Sequence, residues 1–273
     1  VKFYLGAHQP IWLTRVPDVP LLVSHRRLGH RRTLPRAVTE WALDSGGFTE
    51  LQLHGRWQIN AKDYVRAVRR YADEIGMLSL AAAQDWMCEQ HILQRTGLTV
   101  HGHQRRTVDN FIRLRELAPE LPWLPTLQGW TPSDYQRCVD LYEQAGIALA
   151  AEPLVGIGSV CRRQSSADVE HIVRTFAARQ LNLHGFGIKI TGLTRYATAL
   201  TSSDSMAWSR RGRYVPGCGP SHRTESNCLH FALDWYQKIQ TAVNPAESTP
   251  QPGRPRSRRE TTGEPARPLL DRP

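Results

Sequence analysis

The chain has little lysine, four residues against 31 arginines among 273. It has no apolar stretch near the roughly 20 residues needed to cross a bilayer as a helix, so no membrane association is expected. Its five cysteines, Cys88, Cys138, Cys161, Cys218 and Cys228, are odd in number and scattered, which argues against a disulfide framework. The opening Val1-Lys2-Phe3-Tyr4-Leu5 runs into Gly6-Ala7-His8-Gln9-Pro10 without the apolar core of a secretory signal, and a cytoplasmic protein is expected. No internal repeat is visible, which excludes a solenoid. Apolar residues also run out toward the end. From residue 244 onward lie seven of the 18 prolines, with almost nothing apolar before Leu269. Such a composition cannot offset its ordering entropy, so a folded domain over 1–243 and a disordered Pro/Arg-rich tail over 244–273 are expected.

What is present is positive charge. The formal net charge is +10, carried almost wholly by arginine. A GC-rich coding sequence would give the same bias, but the physical consequence holds either way: guanidinium forks match phosphate oxygens, and a basic surface attracts polyanions. Pairs and triplets at Arg26-Arg27, Arg31-Arg32, Arg105-Arg106, Arg162-Arg163 and Arg210-Arg211-Arg213 favour a nucleic-acid partner when taken together.

Short apolar runs alternate with amphipathic stretches. Strands are expected at 3–7, 21–24, 41–43, 78–83, 123–127, 147–155, 183–188 and 203–208. Helices are expected at 61–75, 103–117, 167–178 and 229–243, and after Thr131, where Pro132 and Asp134 complete a capping signature. Eight strands with helices between most of them predict an α/β fold, a single-domain (β/α)8 TIM-type barrel, with a doubly wound sheet as the competitor. In such barrels chemistry sits at the C-terminal ends of the strands. Read outward, the apolar runs end in Asp44, in Gln84-Asp85, in Gln128-Gly129, in Gly156-Ile157-Gly158, near Lys189 and in Asp204. Any one of these could be a cap or a turn; their coincidence points to a polar mouth. Cys88, beside Trp86 and Met87, reads as a plain buried thiol. His8 and His25 read as structural, and His54 as exposed.

The segments LDSGGFTEL, QDWMCE, LQGW, VGIGSVCRR and SSDSMAWS, in that order, resemble the tRNA-guanine transglycosylase superfamily. The closer resemblance, over residues 3–232, is to its short branch, whose members put 7-deazaguanine bases into DNA. The resemblance implies a glycosyltransferase that expels guanine from a nucleotide and inserts a 7-deazaguanine through a covalent aspartyl intermediate. It implies Asp204 as nucleophile and Asp44 as acid/base. Asp85, Gln128, Gly129, Gly156, Gly158, Ser45 and Phe48 would bind the base, with Gly46 and Gly47 letting the backbone approach a purine and Phe48 lying on its face. The partners implied are DNA in preference to tRNA, a free 7-deazaguanine base, and a helper protein to open the duplex. No organic cofactor is implied. The superfamily's structural zinc, held by three cysteines and a histidine, would correspond here to Cys218, His222 and Cys228, with Glu225 where the third cysteine would stand. The same exchange on tRNA, an inactive nucleic-acid-binding member, and an unrelated barrel hydrolase with a catalytic metal at the Cys/His cluster remain open as alternatives.

Overall fold

The computed structural model describes residues 1–243; the tail expected at 244–273 lies outside the described residues. The strands are β1 Lys2–Ala7, β2 Leu21–Ser24, β3 Trp41–Asp44, β4 Leu78–Ala82, β5 Trp123–Leu124, β6 Thr126–Leu127, β7 Val155–Ile157, β8 Leu183–Gly185 and β9 Ser202–Ser205. The α-helices are α1 His25–Leu28, α2 Gly47–His54, α3 Ala61–Glu74, α4 Gln90–Thr96, α5 Val100–Leu117, α6 Pro132–Gln144, α7 Ala167–Ala178, α8 Ile190–Tyr196, α9 Ala207–Gly212 and α10 Leu229–Val243.

All pairings within the sheet are parallel, in the order β5-β4-β3-β2-β1-β9-β8-β7-β6. The two ends of that order, β5 and β6, are halves of one stave broken at Pro125, which has no N–H to give to a ladder. The sheet is thus an eight-staved parallel barrel, the expected (β/α)8 architecture. Tyr142 from α6 patches the break: its hydroxyl accepts from Thr126 N at 3.1 Å and lies 3.2 Å from Thr126 O.

Strand alternation sorts the side chains into two layers. Phe3, Leu5, Leu21, Val23, Trp41 and Leu43 join the large core under the helices, whereas Tyr4, Leu22, Ala42, Leu80 and Leu124 fill the barrel interior with Phe186. Two residues beyond Ala42 on the same inward face comes Asp44, and two beyond Leu22 comes Ser24. The interior is apolar below and polar at the C-terminal mouth.

The expected strand at 147–155 is corrected. Leu149–Ala151 forms a 3-10 turn, and the strand begins only at Val155. Ala148, Ala150 and Ala151 are exposed, so that apolar run buries one side chain, Leu149, rather than a strand face. The stretch at 123–127 splits at Pro125. The caps follow expectation: Thr131 and Asp134 form a reciprocal capping box on α6. The short α2 was not expected, because Gly46-Gly47 is poor helix material. Gly46 serves as its N-cap at φ +81°.

Candidate active site

At the barrel mouth a cavity of about 350 Å3 is lined by Asp44, Ser45, Phe48, Asp85, Gln128 and Asp204, among others. Its floor is a buried polar chain. Cys88 N donates to Ser159 Oγ at 2.7 Å, Ser159 Oγ donates to Gln128 Oε1 at 2.6 Å, and Gln128 Nε2 donates to Asp85 Oδ2 at 2.5 Å. Glu89 Oε2 lies farther from Ser159 Oγ, at 3.2 Å, so the closer Gln128 oxygen takes the hydroxyl proton and the amide nitrogen turns to Asp85. One amide N–H and the Asp85 Oδ1 remain for a ligand, a donor beside an acceptor. That pair complements a ring lactam edge, in which a carbonyl oxygen adjoins an N–H. Burial pushes Asp85 up to about 7, Gln128 works against the shift, and Asp44 and Glu89 add to it.

Asp44 and Asp204 reach the cavity from β3 and β9. Burial raises Asp44, with the Asp204 carboxylate adding to the effect; the Ser24 hydroxyl, the Gly46 N–H and Arg26 pull it back. Asp204 is buried within β9 and accepts from Gly187 N at 3.1 Å. Capping is not its role, since Ser205 Oγ accepts from Ala207 N at the start of α9. Beneath it the fully buried His184 bonds Ser202 Oγ at 2.8 Å through Nδ1 and puts Nε2 3.3 Å from Asp204 Oδ1, outside hydrogen-bond alignment.

Arginines ride on aromatic faces around the rim. Arg162 lies 5.0 Å from the centroid of Phe48, Arg163 4.3 Å from Trp130 and Arg106 4.7 Å from Trp86. Such pairs hold guanidinium charge where it can meet phosphates.

Several sequence expectations need correction. Gly46 and Gly47 do not line the cavity: an added Cβ would meet Arg26 and Ser24 at the first, Trp57 and Met87 at the second. The glycines make room for protein side chains rather than for a purine. Gly129 packs on Asp134 and Tyr135 of α6, and Gly156 faces Thr126, Leu124 and Phe186 inside the barrel; neither lines the cavity. Because the strand begins late, Gly156 N and Gly158 N are spent on Pro125 O and Leu127 O. Gly158 does line the cavity, packed on the Gln128 amide. Ser159, Glu89 and His184 escaped the sequence reading. Ser159 alone left a trace, as the polar residue directly after Gly-Ile-Gly, and it sits at φ 56°. Cys88 is a buried thiol pushed well up by burial, as expected. His25 is structural, bonded to the Tyr71 hydroxyl at 2.9 Å, and His54 is exposed. His8, read as structural, bonds Ser209 Oγ at 2.8 Å and also lines a second cavity.

Away from the mouth, Cys218, His222, Glu225 and Cys228 bring four ligand atoms within 4.8 Å of one another. Cys218 Sγ lies 3.6 Å from Cys228 Sγ and 3.8 Å from His222 Nε2. Glu225 is buried, and its Oε2 has no hydrogen-bond partner. An orphaned buried carboxylate oxygen beside two thiols and an imidazole fits one tetrahedral cation.

No curated protein matches the chain. The sequence model of one family, DpdA, described as DeoxyPurine in DNA protein A, matches residues 1–253. That match spans the barrel, the mouth carboxylates and the Cys/His/Glu group together, and the chain therefore belongs to the DpdA family.

Proposed function

We propose that the protein exchanges guanine in DNA for a 7-deazaguanine base. The observation that carries this reading is the pairing at one cavity of two carboxylates, Asp44 and Asp204, with the donor–acceptor edge of Gln128 and Asp85. Guanine presents O6 and N1–H side by side and matches that edge. Adenine presents the reverse pattern and would leave buried groups unpaired.

The chemistry resembles a retaining glycosidase. An oxygen of the Asp204 carboxylate attacks C1′ as the C1′–N9 bond breaks, and the bonding pair leaves with guanine. Asp44, whose proton affinity burial raises, gives its proton to the departing ring. Asp44, now a carboxylate, takes the N9 proton of the incoming base, whose nitrogen attacks C1′ and frees Asp204. Two inversions retain the configuration at C1′, and the strand is never cut. A target nucleotide must leave the stack to reach the cavity, and a helper protein that opens duplex DNA would supply such a nucleotide.

The Cys218, His222, Glu225 and Cys228 group would hold a structural zinc, with Glu225 as the fourth ligand. Such an ion would supply a cross-link between the segment after α9 and the start of α10. The catalytic residues lie elsewhere.

The test is incubation of single-stranded DNA, or of tRNA, with a labelled 7-deazaguanine base, followed by nucleoside mass spectrometry. Label should enter DNA, and a protein–DNA adduct should survive denaturation in the wild type but not in Asp204→Ala. Incorporation into tRNA alone, or adduct formation by the Ala variant at wild-type level, would sink this assignment.

A further inference from the structure

The second cavity at the mouth, about 410 Å3, has no part in the chemistry above, yet it shares Leu22, Asp44 and Met206 with the base pocket. Its walls include His8, Arg26 and Arg27. Arg26 is already engaged, its Nη1 2.8 Å from Glu50 Oε1. Arg27 is different. Among the described residues it has no carboxylate partner, and the hydrogen bond it makes is to His8 Nδ1 at 3.3 Å.

That contact is built from behind. Ser209 Oγ donates to Ser226 O at 2.8 Å, so its lone pairs face His8 Nε2, also at 2.8 Å. Nε2 therefore carries the proton, and Nδ1 is left as an acceptor for the guanidinium. Burial lowers the His8 pKa, with Arg27 and Arg213 adding to the effect, so the ring stays neutral and keeps its lone pair. The edge of Trp208 fixes the ring plane, centroids 6.1 Å apart. An exposed arginine is thereby held at a cavity wall by a neutral relay that orients it without offsetting its charge.

We propose that Arg27, positioned by the His8–Ser209 relay, is the seat of a phosphodiester subsite that grips the nucleic-acid backbone beside the nucleotide whose base enters the deeper pocket. The inference rests on the guanine-exchange reading for where the base lies. A base against Asp85 and Gln128 puts its sugar at the wall formed by Asp44 and Met206, and the adjoining phosphate falls into the lobe of Arg27. A guanidinium with no carboxylate partner matches a phosphate oxygen pair with charge-assisted hydrogen bonds. Arg27 is the binding group; His8 and Ser209 are positioning residues.

The test is fluorescence anisotropy with a labelled single-stranded DNA oligonucleotide containing one guanine. The linkages flanking that guanine are either native or replaced, one at a time, by an uncharged methylphosphonate. Neutralising one of the two should weaken wild-type binding roughly 10–100-fold and leave Arg27→Ala nearly unaffected. His8→Ala should weaken wild-type binding by roughly 3–10-fold, and that loss should vanish in the Arg27→Ala background. His8→Asn, which keeps an acceptor where Nδ1 stands, should restore affinity. Equal sensitivity of wild type and Arg27→Ala to both methylphosphonates would overturn the proposal, as would a His8→Ala loss that persists without Arg27. Since binding is read rather than turnover, a protein that binds the oligonucleotide but exchanges no guanine refutes the exchange reading and not the subsite.

Discussion

Affinity for free guanine should rise with pH across neutrality, because the group that faces N1–H must be a carboxylate and Asp85 is pushed up to about 7. Apparent affinity scales with the ionised fraction, about one-tenth at pH 6 and about nine-tenths at pH 8, so roughly a tenfold gain is expected between them. Stability should move the other way. The folded state holds the Asp85 proton up to about 7, whereas the unfolded chain releases it near the ordinary 3.8. Stability from this group is therefore present at acid pH and is lost as pH rises from about 4 to about 7. Going from pH 8 to pH 6 should recover about 1.4 kcal/mol. Opposite slopes of affinity and stability in one pH window are hard to obtain from a surface group. Titration calorimetry in two buffers of different ionisation enthalpy would follow affinity and count the proton released at pH 6. Thermal unfolding in the same buffers would follow stability. Asp85→Asn should flatten both slopes. Guanine affinity that stays level from pH 6 to pH 8, or that rises equally in Asp85→Asn, would refute the reasoning.

At Gly158 an added methyl would overlap the Gln128 amide; Gly158→Ala should cost about 1–3 kcal/mol of stability and weaken guanine binding about tenfold by turning that amide away. Calorimetry that finds unchanged guanine affinity would show that Gln128 does not read the base. Elemental analysis of the purified protein should find one bound zinc per chain, and Cys228→Ser should lose it. The substitution should also lower the melting temperature by roughly 5–15 °C, the equivalent of about 2–4 kcal/mol in a domain of this size. An equal metal content in wild type and Cys228→Ser would remove Cys228 from the ligand set.

The barrel was legible because its signals are local: period-two apolar runs, period-3.6 helices, and the Thr131–Asp134 capping box. Helices α7 and α10 begin and end where the sequence alone places them. Asp44, Asp85, Gln128 and Asp204 were legible as the polar residues that terminate those runs. What failed was register and partnership. The alanines before Pro153 look like strand but pack as a turn, which moved Gly156 from a loop into a ladder and used up its N–H. The glycines of 46–47 announce close approach without saying to what, and the answer is Arg26, Trp57 and Met87. Ser159 and His184 lie against neighbours 31 and 20 residues away in the chain, Gln128 and Asp204. No short pattern encodes such pairs, since they exist only once the barrel closes.

The break at Pro125 bears on more than topology. Asp85 follows β4, whose neighbour is β5; Gln128 follows β6, whose neighbour is β7. β4 pairs only with the first half of the interrupted stave and Gln128 ends its second half, so the bond between Gln128 Nε2 and Asp85 Oδ2 is a rivet across the seam where β4 and β6 share no ladder. A lactam that accepted from Gln128 and donated to Asp85 would add a second rivet. On the proposed reading, base recognition and barrel closure would be one mechanical event. Amide hydrogens on either side of the seam, at Ala81 and Gly156, are the natural reporters of how tightly an occupied pocket holds the cylinder shut.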